Sequence, residues 1–409
     1  LTLTWRLDGF TVKAISGYRE IDYKGDFDIS GSNKWRIYTG VNGTEFSQEL
    51  QALGTSLNDR LEWIVGAFYM YEDSDVDTTS YIGPNRNRQV YNTGLNSYAV
   101  FSQGTYRVTE KLGITLGGRY TKDEKTYDAT IIAAGPPSWV SGRAVSDASW
   151  SEFTPKIGLD YHFNDDIMAY AYAAKGFMAG GYQARPFSVV DIDTPYDPTT
   201  VWTYEAGVKA ELLDKMVRLN VAYFYSDYKN LQLNSLNTVV GGGTIQQNAG
   251  ESRLDGIEVE ITANPVQGLN VFGTLYSADG KYKKLPVVVS GVNLDSDIGG
   301  APEFTAGLGF DYTLDLAADN AIVIGGDYNH RESYFPGPSN SEVIKVPTLN
   351  LYNAFVRYES SSKKWDVGIY GKNLSNRKYH LTGFNFSSFQ SLYAADPLTV
   401  MGMVNIRFE

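Results

Sequence analysis

Apolar and polar side chains alternate along this chain with a period of two, over runs long enough to cross a lipid bilayer as strands. From Val201 to Leu212, Trp202, Tyr204, Ala206, Val208, Ala210 and Leu212 share one face, while Thr203, Glu205, Gly207, Lys209 and Glu211 share the other. After the turn Leu213-Asp214-Lys215, Val217, Leu219, Val221, Tyr223 and Tyr225 oppose Arg218, Asn220, Ala222, Phe224 and Ser226. Successive side chains of an extended strand point to opposite sides. The pattern therefore spells a hairpin with one greasy face capped by aromatics and one polar or small face.

The pattern recurs. Leu112, Ile114, Leu116, Gly118 and Tyr120 oppose Gly113, Thr115, Gly117, Arg119 and Thr121. Phe304, Ala306, Leu308, Phe310 and Tyr312 oppose Thr305, Gly307, Gly309, Asp311 and Thr313, and Val400, Val404, Ile406 and Phe408 oppose Thr399, Asn405 and Arg407. No long stretch carries the period of an amphipathic helix, and no run has the length of a transmembrane helix. Connections alternate in length. Short turns fall near residues 109–111, 163–166, 213–215, 265–268, 317–320 and 360–363, and long polar loops near 75–94, 129–148, 180–199, 284–302, 333–347 and 382–396. Short turns at one end and long loops at the other mark an outer-membrane barrel. The expected fold is all-β: one transmembrane antiparallel β-barrel domain over residues 1–409, with about 17 strands of about 10–15 residues. A soluble sandwich or propeller would use strands of about 5–6 residues and charge their exposed face. A barrel usually closes on an even number of strands, and Leu1-Thr2-Leu3-Thr4-Trp5 already alternates, so N-terminal sequence is expected to be missing.

Composition fits and excludes. The chain has 41 Gly, 30 Tyr, 19 Phe and 7 Trp, and charged residues are only 20% of it. Tyr suits a surface where a ring meets an apolar phase and its hydroxyl meets water. With no Cys there is no disulfide framework, Cys-built metal site or Cys nucleophile. His162, His330 and His380 are scattered, so neither a His-built metal site nor any cofactor is expected. A net charge of -12 argues against nucleic acid as a partner. There is no G-x-S-x-G elbow, H-E-x-x-H or P-loop, and the chain is not expected to be an enzyme. Asp160 and His162 share a polar face, which reads as a lumen pair rather than a catalytic dyad.

Several blocks together carry a family resemblance. They include Phe46-Ser47-Gln48-Glu49-Leu50, Gly117-Gly118-Arg119-Tyr120-Thr121-Lys122-Asp123-Glu124-Lys125, and Phe153-Thr154-Pro155-Lys156. Tyr204-Glu205-Ala206-Gly207-Val208-Lys209 running on to Phe224-Tyr225-Ser226-Asp227-Tyr228 is the strongest, and Gly371-Lys372-Asn373-Leu374-Ser375-Asn376-Arg377-Lys378-Tyr379 lies near the C-terminus. In this order, across nearly the whole chain, they resemble the barrel of TonB-dependent outer-membrane receptors, the siderophore-receptor-like transporters of Gram-negative bacteria.

That resemblance implies a barrel of the 22-stranded type, of which this chain would supply the C-terminal part, without the N-terminal plug, the TonB-contacting box and the first strands. It implies a place in the outer membrane among lipid and lipopolysaccharide. It also implies import of a scarce nutrient, a ferric siderophore or similar iron chelate, energised by the TonB complex through the plug. The alternative is a plugless porin-like or structural barrel working in a complex with other outer-membrane or surface proteins. Candidate ligand contacts, chosen as polar or aromatic loop residues, are Arg86, Arg88, Tyr182, Arg185, Tyr196, His330, Arg331, Tyr334 and Phe386. Glu205, Lys209, Glu211, Arg218 and Asn220 form an inward row expected to line the lumen and face a plug. Phe408, followed by Glu409, is the expected barrel-assembly terminus, one residue from its usual place.

Overall fold

A computed structural model describes residues 1–137, 139–184, 186, 189, 194–237, 243–286, 291–386 and 389–408. Arg185 and Glu409, singled out above, lie outside the described residues. The strands are β1 (Thr2–Leu7), β2 (Phe10–Asp28), β3 (Trp35–Ser56), β4 (Leu61–Ile82), β5 (Asn85–Arg107), β6 (Leu112–Ala134), β7 (Gly142–His162), β8 (Ile167–Met178), β9 (Thr199–Leu212) and β10 (Val217–Asn237). They continue with β11 (Gly243–Val266), β12 (Leu269–Lys284), β13 (Phe304–Asp315), β14 (Ala321–Arg331), β15 (Leu349–Glu359), β16 (Trp365–Lys372), β17 (His380–Phe386), β18 (Phe389–Ala394) and β19 (Thr399–Ile406).

Seventeen of these form one antiparallel sheet, and β17 and β18 form a separate hairpin. Each strand from β1 to β16 pairs with its neighbours in sequence, and β16 then pairs with β19. Among the described residues no ladder joins β1 to β19, so the wall has two free edges.

The register sorts the side chains as the alternation demands. Leu50, Val65, Val100, Leu116, Ile157, Val208, Leu308, Val356, Ile369 and Val404 are exposed on one face of the wall. Aromatics bound this band on both sides. Tyr18, Tyr71, Tyr98, Tyr120, Phe153 and Tyr352 lie toward the long-loop end, and Phe10, Tyr106, Tyr161 and Trp365 toward the short turns. Several pair across strands, with ring centroids 5.3 Å apart for Tyr69 and Tyr98 and 5.1 Å for Tyr328 and Tyr352. An apolar belt about 9–11 residues tall between aromatic girdles is what a bilayer-crossing strand requires. Phe408, 90% exposed, continues the outer row of Val404 and Ile406.

The opposite face is polar and internally paired. Glu205 accepts hydrogen bonds from Tyr170 Oη and Tyr172 Oη, each at 2.7 Å. Arg218 donates to Glu211 at 2.9 Å, Asn220 to Glu260 at 3.3 Å, and Lys209 Nζ lies 5.6 Å from the Tyr170 ring centroid. Glu205, Lys209, Glu211, Arg218 and Asn220 thus share the polar face, each with a partner on it. Asp160 is paired with Arg107, and His162 Nε2 lies 3.3 Å from it. Glycines let rings lie flat across strand pairs: a Cβ on Gly309 would sit 2.5 Å from the ring of Phe272, directly opposite it. At the β11–β12 turn Gly268 has φ +80°, which favours glycine.

Two of the segments read as loops are largely strand. β4 and β5 run through most of 75–94 and meet in a tight turn, and β6 and β7 take up most of 129–148. Strands of 22 and 23 residues here exceed what the bilayer needs. Above the girdle the outer face turns polar (Asp73, Asp75, Asp77; Lys122, Glu124), which breaks the apolar alternation while the backbone ladder continues. The segment 382–396 likewise contains β17 and β18.

Candidate functional site

Above the apolar belt, the inner faces of β5 and β6 carry Gln89, Tyr91, Lys125, Tyr127, Ala129 and Ile131. The described residues of the connection between β8 and β9, 179–184 above all, fold against them instead of standing away from the wall. Gly181 and Tyr196 pair within it through backbone bonds of 2.9 and 3.1 Å. Tyr182 stacks on Tyr127 with centroids 5.1 Å apart and planes 9° apart, and Tyr127 meets Tyr91 at 5.4 Å. Tyr127, Ala129 and Ile131 are each 1% exposed, and Tyr91, Ala144, Tyr182 and Val189 pack around them. The far side of the same connection is bound to the opposite part of the wall: Gln183 and the backbone of Gln246 exchange two hydrogen bonds, of 2.6 and 2.9 Å.

Between this connection and the wall lies a cavity of about 400 Å³. Its lining includes Tyr91, Tyr127, Tyr182 and Tyr196, with Glu72 and Lys125 as its charged groups. Burial raises the phenol pKa of Tyr127, Tyr182 and Tyr196. Burial lowers the ammonium pKa of Lys125, against the opposing pull of Asp123 and Glu72. Lys125 lies 5.8 Å from the Trp150 ring centroid. The result is an aromatic, partly desolvated chamber with hydroxyl donors and one cation. It suits a compact polar cargo with apolar or planar faces, which rings and fixed donors hold well.

A second inward assembly closes the other side. The ring of Phe386 lies 4.5 Å from that of Trp35 at the start of β3, and Ile37 and Phe389 complete the cluster. Tyr334 pairs with Val346 through the backbone, and its hydroxyl donates to Leu381 O at 3.4 Å. Asn385 donates to Ser341, and Asn340 and Asp297 exchange two bonds. The connections around 291–303, 332–348 and 380–394 thus form one interlocked cap.

The structure brings some of the candidate residues together and separates others. Tyr182 and Tyr196 line the same cavity. Arg331 lies 4.9 Å from the Tyr334 ring centroid in the second cap, where Phe386 is packing core at 8% exposure. Arg86 and Arg88 lie on the outer face of the β4–β5 hairpin. Arg88 makes two bonds to Asp77, at 3.0 and 2.7 Å, which hold the Asp77 carboxyl below its ordinary pKa. Arg86 lies 6.0 Å from the Tyr81 ring centroid. His330 shares the outer face with Tyr328 and binds Asn350 at 2.9 Å. Sequence reasoning missed Tyr91, Lys125 and Tyr127. The signal was the period of two continuing from Thr121 through Asp123, Lys125 and Tyr127 on the inner side, past the point where the outer side became polar.

The TonB dependent receptor-like β-barrel family model matches residues 1–374. The metal-pseudopaline receptor CntO of Pseudomonas aeruginosa is 24% identical over 298 residues, covering 71% of this chain and 38% of that receptor. The ferric-pyoverdine 358 receptor of Pseudomonas putida is 30% identical over 299 residues, covering 69% of this chain and 34% of the other. The chain therefore spans little more than a third of these relatives' lengths. Among solved structures, the ferric yersiniabactin uptake receptor FyuA of Yersinia pestis superposes with a TM-score of 0.84 at 17% identity, over 98% of this chain and 59% of that one. The siderophore receptor PiuA of Acinetobacter baumannii gives 0.74 at 16% identity, over 98% and 62%.

Proposed function

The chain belongs to the TonB-dependent receptor β-barrel family, and from that premise we propose that it forms much of the wall of a receptor importing a scarce nutrient, with a ferric siderophore or similar metal chelate as cargo. Members of the family are outer-membrane β-barrels and transporters, not enzymes. In that setting the short turns face the periplasm and the long connections face outward. The apolar belt meets lipid, and the charged outer face above it stands at the level of lipopolysaccharide headgroups.

The observation that carries the reading is the tyrosine-lined cavity on the inner face, above the membrane belt and beneath an inward-folded connection. A cargo arriving from outside meets this chamber before the polar lumen face around Glu205, Lys209 and Arg218. A phenol is neutral at pH 7 and burial raises its pKa further, and the Tyr91 and Tyr127 hydroxyls already donate to carbonyls of the connection, so the rings suit stacking onto an intact chelate better than direct ligation of bare iron. The names of the relatives support this class of cargo: one receives metal-pseudopaline and another ferric pyoverdine.

We further propose that additional strands complete the wall between β1 and β19, and that a plug domain fills the lumen and couples to TonB. A barrel of the 22-stranded type has a lumen wide enough to need such a gate to be selective. The inner row of Glu205, Glu211 and Arg218 would meet that plug. Deleting the gene and following growth on defined ferric chelates as sole iron source tests the reading. Loss of growth on at least one chelate, restored by the gene, is expected; unchanged growth on every chelate counts against it.

A further inference from the structure

Residues 179–184 and Pro186 are held to the inner wall through main-chain carbonyls. Lys125 Nζ donates to Gly180 O at 2.7 Å, and Tyr127 Oη to Gln183 O at 3.0 Å. Tyr91 Oη donates to Ala184 O at 3.1 Å, and Gln89 Nε2 to Pro186 O at 2.6 Å. The donors occupy alternate inward positions on two adjacent strands, Gln89 and Tyr91 on β5 and Lys125 and Tyr127 on β6. They form a rigid row of side-chain donors facing a succession of carbonyls. At its start the segment is tied to the other part of the wall, where Gln232 Nε2 donates to Ala179 O at 3.1 Å and to Asp197 O at 2.9 Å.

Such a row reads backbone carbonyls, while Gly180 and Gly181 let the segment lie close to Tyr196 and Trp150, where a Cβ would collide. Its position matters because Gly181, Tyr182, Gln183 and Ala184 supply one side of the cavity. Without the row, the polar ties left to the segment among the described residues run to Gln246, Gln232 and Tyr196, none of them on β5 or β6.

We propose that Gln89, Tyr91, Lys125 and Tyr127 are positioning residues. Together they form a rack that docks residues 179–184 and Pro186 inward and so builds the cavity before any cargo arrives. The consequence for transport rests on the cargo reading above; the docking itself does not.

The chain has no Cys, and with any thiol elsewhere in the full receptor replaced by Ser, a single introduced thiol reports one place only. A nitroxide would be attached at Ala184→Cys in the receptor as its gene encodes it, with Leu57→Cys in a short turn as the control. An immobilised spectrum at position 184 is expected without ligand. The double variant Tyr91→Phe/Tyr127→Phe keeps both rings and removes both hydroxyls, and it is expected to raise the mobile fraction severalfold. The control label and the heat-modifiable gel mobility of the folded barrel should not change. Lys125→Met should release the label further and Lys125→Arg should restore it. Should the double variant not fold, Gln89→Ala in the same labelled background gives the same readout. Equal spectra at position 184 with and without the two hydroxyls would overturn the rack. Absence of TonB-dependent iron uptake would instead sink the cargo reading and leave the rack standing.

Discussion

Trp35 and Phe386 stand 4.5 Å apart, ring centre to ring centre, although one opens the third strand of the sheet and the other lies in the hairpin before its last strand. Each is 8% exposed. The hairpin β17–β18, inserted before the last strand of the sheet, therefore reaches back to the start of β3 at the long-loop side, and side chains join these two parts although the edge strands β1 and β19 share no ladder. Aromatic pairs of this kind contribute about 0.5–1.5 kcal/mol beyond their buried area.

Removing one ring should free the hairpin without unfolding the wall. Truncating a buried Phe to Ala costs about 3–5 kcal/mol in a full core, and here the loss falls on the segment 380–394. Amides there should exchange much faster in Phe386→Ala, while those of β3 to β7 keep their protection. Uniform protection in the variant would show that the cluster does not hold the hairpin.

The outer face should respond to charge by height. Leu116 lies in the middle of the belt, and Thr126 lies on the same face of β6 above Tyr120. Leu116→Arg should destabilise the barrel by about 2–4 kcal/mol and Thr126→Arg by about 0–1 kcal/mol. Urea unfolding in lipid bilayers measures both, and equal costs would contradict the placement of the belt.

The β4–β5 hairpin should carry a small pH dependence. Arg88 lowers the pKa of Asp77, so the pair stabilises the hairpin fully above the ordinary carboxylate pKa of about 3.9 and loses that contribution as pH falls through the lower folded value. Both side chains are well exposed, which keeps the effect small. Arg88→Ala should lower the unfolding midpoint slightly at neutral pH and leave it unchanged at strongly acid pH. A difference that grows on acidification would reverse the assigned sign.

Much of the fold was legible because one face of each strand touches lipid. The rows at Leu112 to Tyr120 and Val217 to Tyr225 are enforced by the bilayer, so alternation reads directly as wall. Above the belt that constraint ends: Asp73, Asp75 and Asp77 face water outward, and Ser74, Val76 and Thr78 face inward. A polar outer face with a mixed inner one gives no alternation, which is why 75–94 and 129–148 read as loops although the backbone ladder continues. The inward row from Glu205 to Asn220 was legible for the same reason as the belt. The cavity was not. Tyr182 and Tyr127 meet only because the chain between β8 and β9 turns inward, and that turn is set by hydrogen bonds to carbonyls, which leave no trace in residue type.

The account stands or falls on energised import through this wall. Radioiron uptake should be measured in cells carrying the receptor, across a panel of ferric chelates, with TonB present and with TonB removed. Saturable accumulation of at least one chelate that vanishes without TonB and falls at least tenfold in Tyr127→Ala is the predicted result. Uptake that is non-saturable and indifferent to TonB would contradict it and would mark the barrel as a passive pore.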